Sequence, residues 1–415
     1  MAETPGLQGE WGRLESVLNT FRHFRDRYLL SARKAAAASP RGVAGECSES
    51  PLQTLPVDMQ LYIMSFLSPR DVCQLGSTNH YWHEMVQDPV LWRYFLLRDL
   101  PSWTSVDWNS LPGVELLKTS FSKLADGIPN DYMAGYLKSC PQSRSLKSSF
   151  PRYGTMTSFF QSLITHAEPR FAMFGPGLEE MDDSLVRRMM TSPGLLPVTG
   201  ISQRQIDGIG SGVSFLFNNQ HKFNILTLYS TTRRQWSVMI LISRTKSGSD
   251  SGRKIWSRLA LGLQDPGPFS KERERARAGQ SNIVNRMFLH EAVIGENQES
   301  LQYSVIPQVQ EACRAVDGFI YVANAEAHKN HNRQDEYAHI LAMTDPSLGP
   351  PNRPVLVLSC VTRAGVKRVP CVYMAHELCI NLLTRPWMVQ DTEVETLTGL
   401  LDGMEWMLGQ VGIKI

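Results

Sequence analysis

The residues best placed to do chemistry follow a short apolar segment, residues 171–174, which the pattern predicts to be a buried strand. Gly175-Pro176-Gly177 comes next, and Glu179 and Glu180 begin a predicted acidic helix. A strand, a glycine turn and a helix start in this order are typical of a loop that binds a nucleotide phosphate. Phosphate binding also needs the lysine, and magnesium needs the hydroxyl, that end the G-x-x-x-x-G-K-[ST] motif. Since carboxylates take their place here, we predict that the loop repels phosphate and that the chain has no cofactor.

The histidine-rich segment after residue 327 is the other candidate for chemistry. Its His328, His331, Asp335 and His339 are residue types that bind metals. Their place in a polar stretch that runs into a predicted exposed helix favours a solvated surface, so we expect no metal site. We also find no nucleophile with a base beside it. The sequence therefore predicts a protein that is not an enzyme.

Length, charge and cysteine content narrow the class of protein. The chain has 415 residues, which predicts two or three domains, and its net charge of +2 gives no reason to expect binding to nucleic acid. Its seven cysteines are odd in number and form no Cys-x-x-Cys pair, which indicates a reducing compartment. We see no secretory leader, and the longest apolar run is far below the roughly 18 residues of a membrane span. We expect a cytoplasmic protein, with the nucleus as the alternative, and no membrane partner.

Residues 1–50 are predicted to hold an amphipathic helix and then a flexible linker. Apolar side chains recur at spacings of three and four, interrupted only at Arg25, and form one seam: Trp11, Leu14, Leu18, Phe21 and Tyr28. Self-association through this seam, which would give a homodimer, and packing of the helix on its own body fit the pattern equally well. The residues that follow are rich in Ser, Ala, Gly and Pro without periodicity, as in a linker.

Residues 51–98 carry the most specific pattern in the chain. Leu55-Pro56 predicts a helix start, because proline lacks an N–H that the first turn would leave unbonded. Met59, Ile63 and Leu67 then form an apolar stripe along that helix. A second and a third short helix are predicted to follow. Three short helices cannot bury this many large apolar side chains, so we expect some of them to face the helices of a partner protein.

This segment resembles an F-box. The residues that carry the resemblance are Leu55-Pro56, Ile63, Phe66-Leu67, Asp71-Val72, Leu75, Asn79-His80, Trp82 and Leu91-Trp92. In F-box proteins the motif docks onto the Skp-type adaptor of a cullin-RING ubiquitin ligase, so the resemblance implies the same partners here. It places these residues at or near the adaptor interface: Leu55, Pro56, Met59, Ile63, Leu67, Leu75 and Trp82.

The rest of the chain predicts a linker and one larger domain. Residues 99–165 alternate turn signals with short helical patterns, which indicates a helical linker. Residues 166–415 alternate strands with helices, which predicts an α/β sheet with helices on both faces. Asn218-Asn219 suits a hairpin turn, and Thr392 with Glu395 predicts a capping box at the start of the last helix. The expected fold class is α + α/β, with a three-helix F-box and helical linker before the α/β domain.

The element order of residues 166–415 resembles a small GTPase of the Arf type without its nucleotide motifs. Besides the altered glycine loop, the guanine-binding Asn-Lys-x-Asp is replaced by Ser-Cys-Val-Thr at residues 359–362. When the F-box segment and this domain are considered together, the chain resembles F-box substrate receptors that carry an atypical, degenerate GTPase-like domain. That resemblance implies a substrate-recognition subunit of an SCF ubiquitin ligase, with a telomeric repeat-binding factor as target and a D-type cyclin as a further candidate. A nucleotide-binding, GTPase-like switch is the alternative function.

Residues 234–270 depart from that resemblance, because the family joins the residues on either side of them directly. They contain basic residues and two tryptophans, but we prefer a poorly ordered insertion to a nucleic-acid contact. A domain without this insertion is expected to keep its fold.

We expect the target to bind at a sheet edge near residue 370, because proline is tolerated in strands mainly at edges. The residues of this predicted edge strand are Cys371, Val372, Tyr373, Met374 and Ala375. The small side chains of Cys371 and Ala375 would let a partner backbone approach and add a strand. The alternative is a covered inner strand.

Overall fold

The fold is described from a computed structural model, for residues 51–118, 131–141, 168–181, 184–206, 210–230, 287–292 and 301–413. These residues form two compact units. The first contains residues 51–101, 112–118 and 131–141, and the second contains residues 102–111 and the described residues from 168 onward. The predicted N-terminal helix from Trp11 to Tyr28 and the insertion at 234–270 lie outside the described residues, so both stay predictions.

The first unit is built from short helices. Their bounds are α1 Val57–Ser65, α2 Pro69–Gly76, α3 His80–Met85, α4 Pro89–Asp99, α5 Val114–Lys118 and α6 Tyr132–Ser139. Capping side chains explain where two of them begin. Ser68 Oγ accepts a hydrogen bond from the N–H of Asp71 at 3.1 Å, and Asn79 Oδ1 accepts one from the N–H of Trp82 at 2.9 Å.

The predicted third helix of the F-box segment is in fact two helices, α3 and α4. Asp88 Oδ1 accepts a hydrogen bond from the N–H of Val90 at 2.8 Å, and Pro89 occupies the first position of α4. This pair starts a new helix, because Asp satisfies a free N–H and Pro has none to satisfy. The expectation of three helices in residues 51–98 is therefore wrong, since four are described there. Helix α4 supplies the core residues Trp92 and Phe95, both fully buried.

The strands described in the second unit form a mixed sheet of eight strands and a separate sheet of two. The strand bounds are β1 Ser105–Asp107, β2 Arg170–Phe174, β3 Val198–Ile206, β4 Gly210–Phe217, β5 His221–Leu228, β6 Phe288–Ala292, β7 Leu301–Val305, β8 Gly318–Asn324, β9 Val355–Val361 and β10 Trp387–Glu393. The sheet order is β1-β10-β9-β8-β2-β5-β4-β3, and β6 pairs with β7. From β10 to β5 all neighbours are parallel, whereas β1 pairs antiparallel with β10 and β4 pairs antiparallel with both β3 and β5.

The turn between β4 and β5 lies at Asn218-Asn219, as predicted. Both residues have positive φ, 48° and 56°. Asparagine tolerates this left-handed conformation at the two central positions of the turn, which the Gln220 N–H closes by donating to Phe217 O at 3.0 Å. The Phe217 and His221 pair closes the hairpin.

Helices cover both faces of the sheet, which confirms the predicted layering. Their bounds are α7 Leu185–Thr191, α8 Pro307–Arg314, α9 Arg333–Met343, α10 Cys371–Glu377 and α11 Leu400–Gln410. Ile320 of β8 lies in one buried cluster with Met189 of α7 and Met404 of α11. Tyr321, the next residue of β8, points to the opposite face and donates its hydroxyl to Glu336 of α9 at 2.8 Å.

Two expectations about these elements are wrong. The linker is not wholly helical, because Ser105–Asp107 forms β1 and pairs with residues 388–390 of β10. Thr392 lies inside β10 and not in a capping box, because the pairing of β10 with β9 continues past this residue. The last helix begins later, at Leu400, after Gly399 in the left-handed conformation.

No helix in the described ranges has the length and apolar composition that crossing a membrane requires.

Candidate functional site

An apolar ridge on the first unit is the main candidate site. We define the ridge as Leu55, Met59, Ile63 and Phe66, whose exposed fractions are 39%, 44%, 37% and 69%. The spacing of Met59, Ile63 and Phe66 places these three on one side of α1, and Leu55 precedes the helix. On the other side, Leu61 and Met64 are each 1% exposed. Helix α1 is therefore apolar on two sides, and the first unit covers only one of them.

Arg98 of α4 contacts the C-terminal end of α1, the helix that carries the ridge. Its Nη1 donates to Ser65 O at 2.9 Å, at the C-terminal end of α1, where carbonyl groups have no partner within the helix. The guanidinium also lies 4.7 Å from the centre of the Phe95 ring and pairs with Asp99 at 2.6 Å. Because these contacts fix the Arg98 side chain, its hydrogen bond to Ser65 O also fixes the C-terminal end of α1.

The seven residues predicted for the adaptor interface differ in exposure. Leu55, Pro56, Met59 and Ile63 are exposed, Leu67 and Leu75 are half-buried, and Trp82 is buried. Trp82 is a core residue of the first unit, in edge-to-face contact with Tyr81 at 5.0 Å between ring centres. Their contact with a partner stays a prediction.

The sequence interpretation omitted Phe66 from this set. Phe66 is the most exposed large apolar side chain in the described part of the chain. The signal that could have found it is its spacing, three residues after Ile63, which continues the same side of α1.

Residues 371–375, predicted as an edge strand, belong to helix α10. Pro370 directly precedes the helix, where its missing N–H costs nothing. Cys371 and Ala375, one turn apart, are fully buried, and α10 packs against β1 and β10. The small side chains that suggested the approach of a partner strand instead let this helix lie close to its own sheet.

Strand β1 occupies the sheet edge beside α10. Cys371 Sγ–H donates to Trp103 O at 3.3 Å, and Trp103 and Val106 are buried. Of residues 371–375, only Tyr373 is exposed. The prediction that a target adds a strand to Cys371, Val372, Tyr373, Met374 and Ala375 is therefore wrong.

The glycine loop at residues 175–177 is packed against the sheet. Gly175 has φ of +125°, and a Cβ atom there would lie 2.5 Å from the Val322 carbonyl oxygen of β8. A Cβ at Gly177 would lie 2.8 Å from the Val322 side chain. The loop forms a 3-10 turn, Pro176–Leu178, and the helix predicted to begin there starts only at Leu185.

The groups after this loop have partners within the second unit. Glu179 Oε1 accepts from Ser230 Oγ at 2.8 Å, which ties the loop to the end of β5. Lys329 Nζ donates to Glu180 O at 3.1 Å and lies 3.1 Å from Glu326 Oε2. Burial raises the pKa of the Glu180 carboxyl, and the nearby Lys329 charge opposes this rise.

Glu326 and His331 extend this network to neighbouring loops. Glu326 Oε1 accepts from the N–H of Thr362 at 3.1 Å and from its hydroxyl at 2.5 Å. Burial alone would raise the pKa of Glu326, but hydrogen bonds from Thr362 and Lys329 outweigh it and lower that pKa. Burial, together with the nearby positive charge of Arg333, lowers the pKa of His331 to about 4, so its imidazole is neutral at pH 7.

The network can hold the loops at the carboxyl ends of β2, β8 and β9 together. The lysine in this network is Lys329, whose ammonium group already contacts the Glu326 carboxylate and the Glu180 carbonyl group. The statement that the glycine loop repels phosphate stays a prediction.

The predicted metal-type residues are dispersed. Within the described ranges, no three His, Cys, Asp or Glu side chains form a group that could hold a metal ion. His328 lies 3.6 Å from Glu326, and His339 stacks on the Phe288 ring with 4.2 Å between ring centres.

Known proteins match this chain along nearly its whole length. A family model described as F-box-like matches residues 52–98, which include the whole ridge. F-box only protein 4 from Homo sapiens is 54% identical over 407 residues, covering 98% of this chain and 95% of that protein. F-box only protein 4 from Bos taurus is 54% identical, covering 98% and 95%, and that from Mus musculus is 52% identical, covering 100% and 97%.

Proposed function

The chain belongs to the F-box only protein 4 family, and on that premise we propose that it is the substrate-recognition subunit of an SCF ubiquitin ligase. The first unit binds the Skp-type adaptor and, through it, the cullin. The second unit binds the protein that is to be ubiquitinated. The chain contributes binding and positioning but no catalytic group.

The observation that carries this proposal is the ridge. Its four large apolar side chains are 37% to 69% exposed on a helix whose opposite side is fully packed. A contiguous exposed apolar surface of this kind marks a binding site, because covering it gains about 25 cal/mol for each Å² removed from water. The ridge lies within residues 52–98, where the F-box-like match is found.

We also propose that the second unit is an atypical small-GTPase-like domain that serves as a scaffold. The parallel run from β10 to β5 and the glycine loop directly after β2 support this identity. Loss of nucleotide binding is supported by the close packing of Gly175 on Val322 and by the missing phosphate-loop lysine.

The finer parts of the proposal rest on the resemblance and on sequence patterns alone. The proposed target is a telomeric repeat-binding factor, with a D-type cyclin as a further candidate, for polyubiquitination and degradation. Self-association through residues 11–28 is proposed from the apolar seam of that segment, and a cytoplasmic site of action, with the nucleus as alternative, from the cysteine pattern. Because residues 371–375 form a buried helix, we assign the target to the second unit without naming a surface.

Co-purification from cells tests the proposal. The wild-type chain should capture both cullin and target, whereas a double variant with Leu55→Ala and Pro56→Ala should lose the cullin and keep the target. Leu195→Ala is a matched control, because Leu195 is an exposed apolar residue of the second unit, 44% exposed. Undiminished cullin capture by the double variant would refute the F-box assignment.

The alternative function, a nucleotide-binding switch, is favoured by one observation, the glycine loop that follows buried strand β2. Equilibrium binding of labelled GTP to the purified chain separates the two functions. We expect no saturable binding in the micromolar range, and such binding would establish the switch instead.

A further inference from the structure

We infer that Gln60 is a positioning residue for adaptor binding, which acts by fixing Leu55 and Pro56 against α3. This inference rests on the proposed function, because it assigns a new role within the same binding site. Gln60 lies on the buried side of α1 and is 1% exposed.

The Gln60 amide makes three hydrogen bonds. Its Nε2 donates to Leu55 O at 2.8 Å and to Gln53 O at 3.2 Å, and its Oε1 accepts from the Tyr81 hydroxyl at 2.7 Å. Two carbonyl acceptors and one hydroxyl donor fix the orientation of the amide, since only its nitrogen can donate to the carbonyls. A buried polar side chain is unfavourable without partners, so this set of bonds explains why a glutamine is tolerated beside Leu61 and Met64.

The N-terminal end of α1 lacks the usual device that fixes it. Pro56 is the N-cap residue, and no side chain there bonds to the first turn. The residues before α1 are therefore not tied to its first turn by a capping side chain. Gln60 holds the preceding residues in a different way, because its Nε2 reaches back past the first turn and donates to the carbonyl group of Leu55.

Tyr81 connects this arrangement to α3. Its ring packs edge-to-face on buried Trp82, and its hydroxyl reaches Gln60 across the first unit. The carbonyl of Leu55, the amide of Gln60 and the hydroxyl of Tyr81 therefore form a chain of bonds from the start of the ridge to the core. A ridge whose first residue is fixed in this way loses less conformational freedom when the adaptor binds.

Two substitutions test the inference at different strengths. Tyr81→Phe removes one hydroxyl and keeps the ring, and Gln60→Met keeps the side-chain length while removing all three bonds. We expect the Kd for the purified Skp-type adaptor to rise about 3-fold for Tyr81→Phe and about 10-fold for Gln60→Met, because a less firmly held Leu55 loses more conformational freedom on binding. Gln74→Met, at an exposed glutamine of α2, is the matched control and should leave the Kd unchanged.

A double-mutant cycle separates positioning from a general loss of structure. If Gln60 acts through Leu55, the effects of Gln60→Met and Leu55→Ala on the Kd should be clearly less than additive. The effects of Gln60→Met and Leu75→Ala should be additive, because Leu75 lies on α2 and has no bond to this amide. Additivity in both cycles would overturn the inference.

The measurements distinguish a failure of the proposed function from a failure of the inference about Gln60. If the wild-type chain does not bind the adaptor, the proposed function fails. If the wild type binds and Leu55→Ala weakens binding, but Gln60→Met and Tyr81→Phe both bind normally, only this inference fails. Should Gln60→Met not fold, as judged by circular dichroism, an unchanged Kd for folded Tyr81→Phe is sufficient to refute it.

Discussion

We expect opposite effects on stability and on adaptor binding for Ile63 and Leu61, which lie two residues apart on α1. Ile63→Ala shortens a side chain that is already 37% exposed, so the free energy of unfolding should fall by about 1 kcal/mol or less. Leu61→Ala leaves a cavity at a position that is 1% exposed, and should lower the free energy of unfolding by about 2 to 5 kcal/mol.

Adaptor binding should show the reverse order. Ile63→Ala removes three carbon groups, and each is worth about 0.8 kcal/mol when it is fully covered. Because Ile63 is 37% exposed in the free chain, the adaptor can cover only that share, so the loss is about 1 kcal/mol, or a roughly 5-fold higher Kd. Leu61 faces the core, so Leu61→Ala should keep the wild-type Kd in the molecules that remain folded.

Two measurements give these quantities. Urea denaturation followed by circular dichroism gives the free energy of unfolding, and titration calorimetry with the purified Skp-type adaptor gives the Kd under conditions where both variants are folded. An unchanged Kd for folded Ile63→Ala would refute the reasoning, because the exposed side of α1 would then not be covered by the adaptor.

Three further predictions concern the second unit. Gly175→Ala should lower the free energy of unfolding by about 2 kcal/mol or more, because φ is +125° and the added Cβ would meet Val322 O. Urea titration measures this change, and an unchanged midpoint of urea unfolding would contradict the prediction by showing that the loop can move. Burial, opposed by Arg368, raises the pKa of Asp391 from 3.8 to about 7, so more protons are bound in the folded state. The stability that this group contributes should therefore be lost as the pH rises from about 4 through about 7, and Asp391→Asn should flatten that dependence in thermal unfolding; an equal slope would contradict it. Ala375→Arg should destabilise the second unit, because Ala375 is fully buried, and a variant with wild-type stability would contradict the placement of α10.

Local signals predicted much of the fold. The Asn218-Asn219 turn was identified because few residues tolerate two successive positive φ angles. The buried strands β8 and β9 were identified because every residue in each is buried, which produces a continuous apolar run.

The errors arose where tertiary packing decides between local alternatives. Residues 371–375 carry strand-forming side chains, but the sheet edge beside them is already occupied by β1, from a segment far away in sequence. These residues form a helix because α10 can pack against β1 and β10 and bury Cys371 and Ala375 there. The role of Asp88 was missed for a simpler reason, since an Asp-Pro pair within a helical pattern indicates a new helix start.

The ridge was predicted in part. The four-residue spacing identified Met59 and Ile63, because it depends only on helix geometry. Burial of Trp82 and the bonds of Gln60 were not predictable, since both depend on how α1 and α3 pack together.

The central claim is that this chain connects the adaptor to the target, and a three-component capture experiment tests it most directly. Immobilised Skp-type adaptor is incubated with the purified proposed target, a telomeric repeat-binding factor, with or without this chain. We predict that the target is retained only when the chain is present, and that the Leu55→Ala and Pro56→Ala double variant abolishes its retention. Failure of the adaptor to retain the wild-type chain, or equal retention of the target with the double variant, would contradict the account.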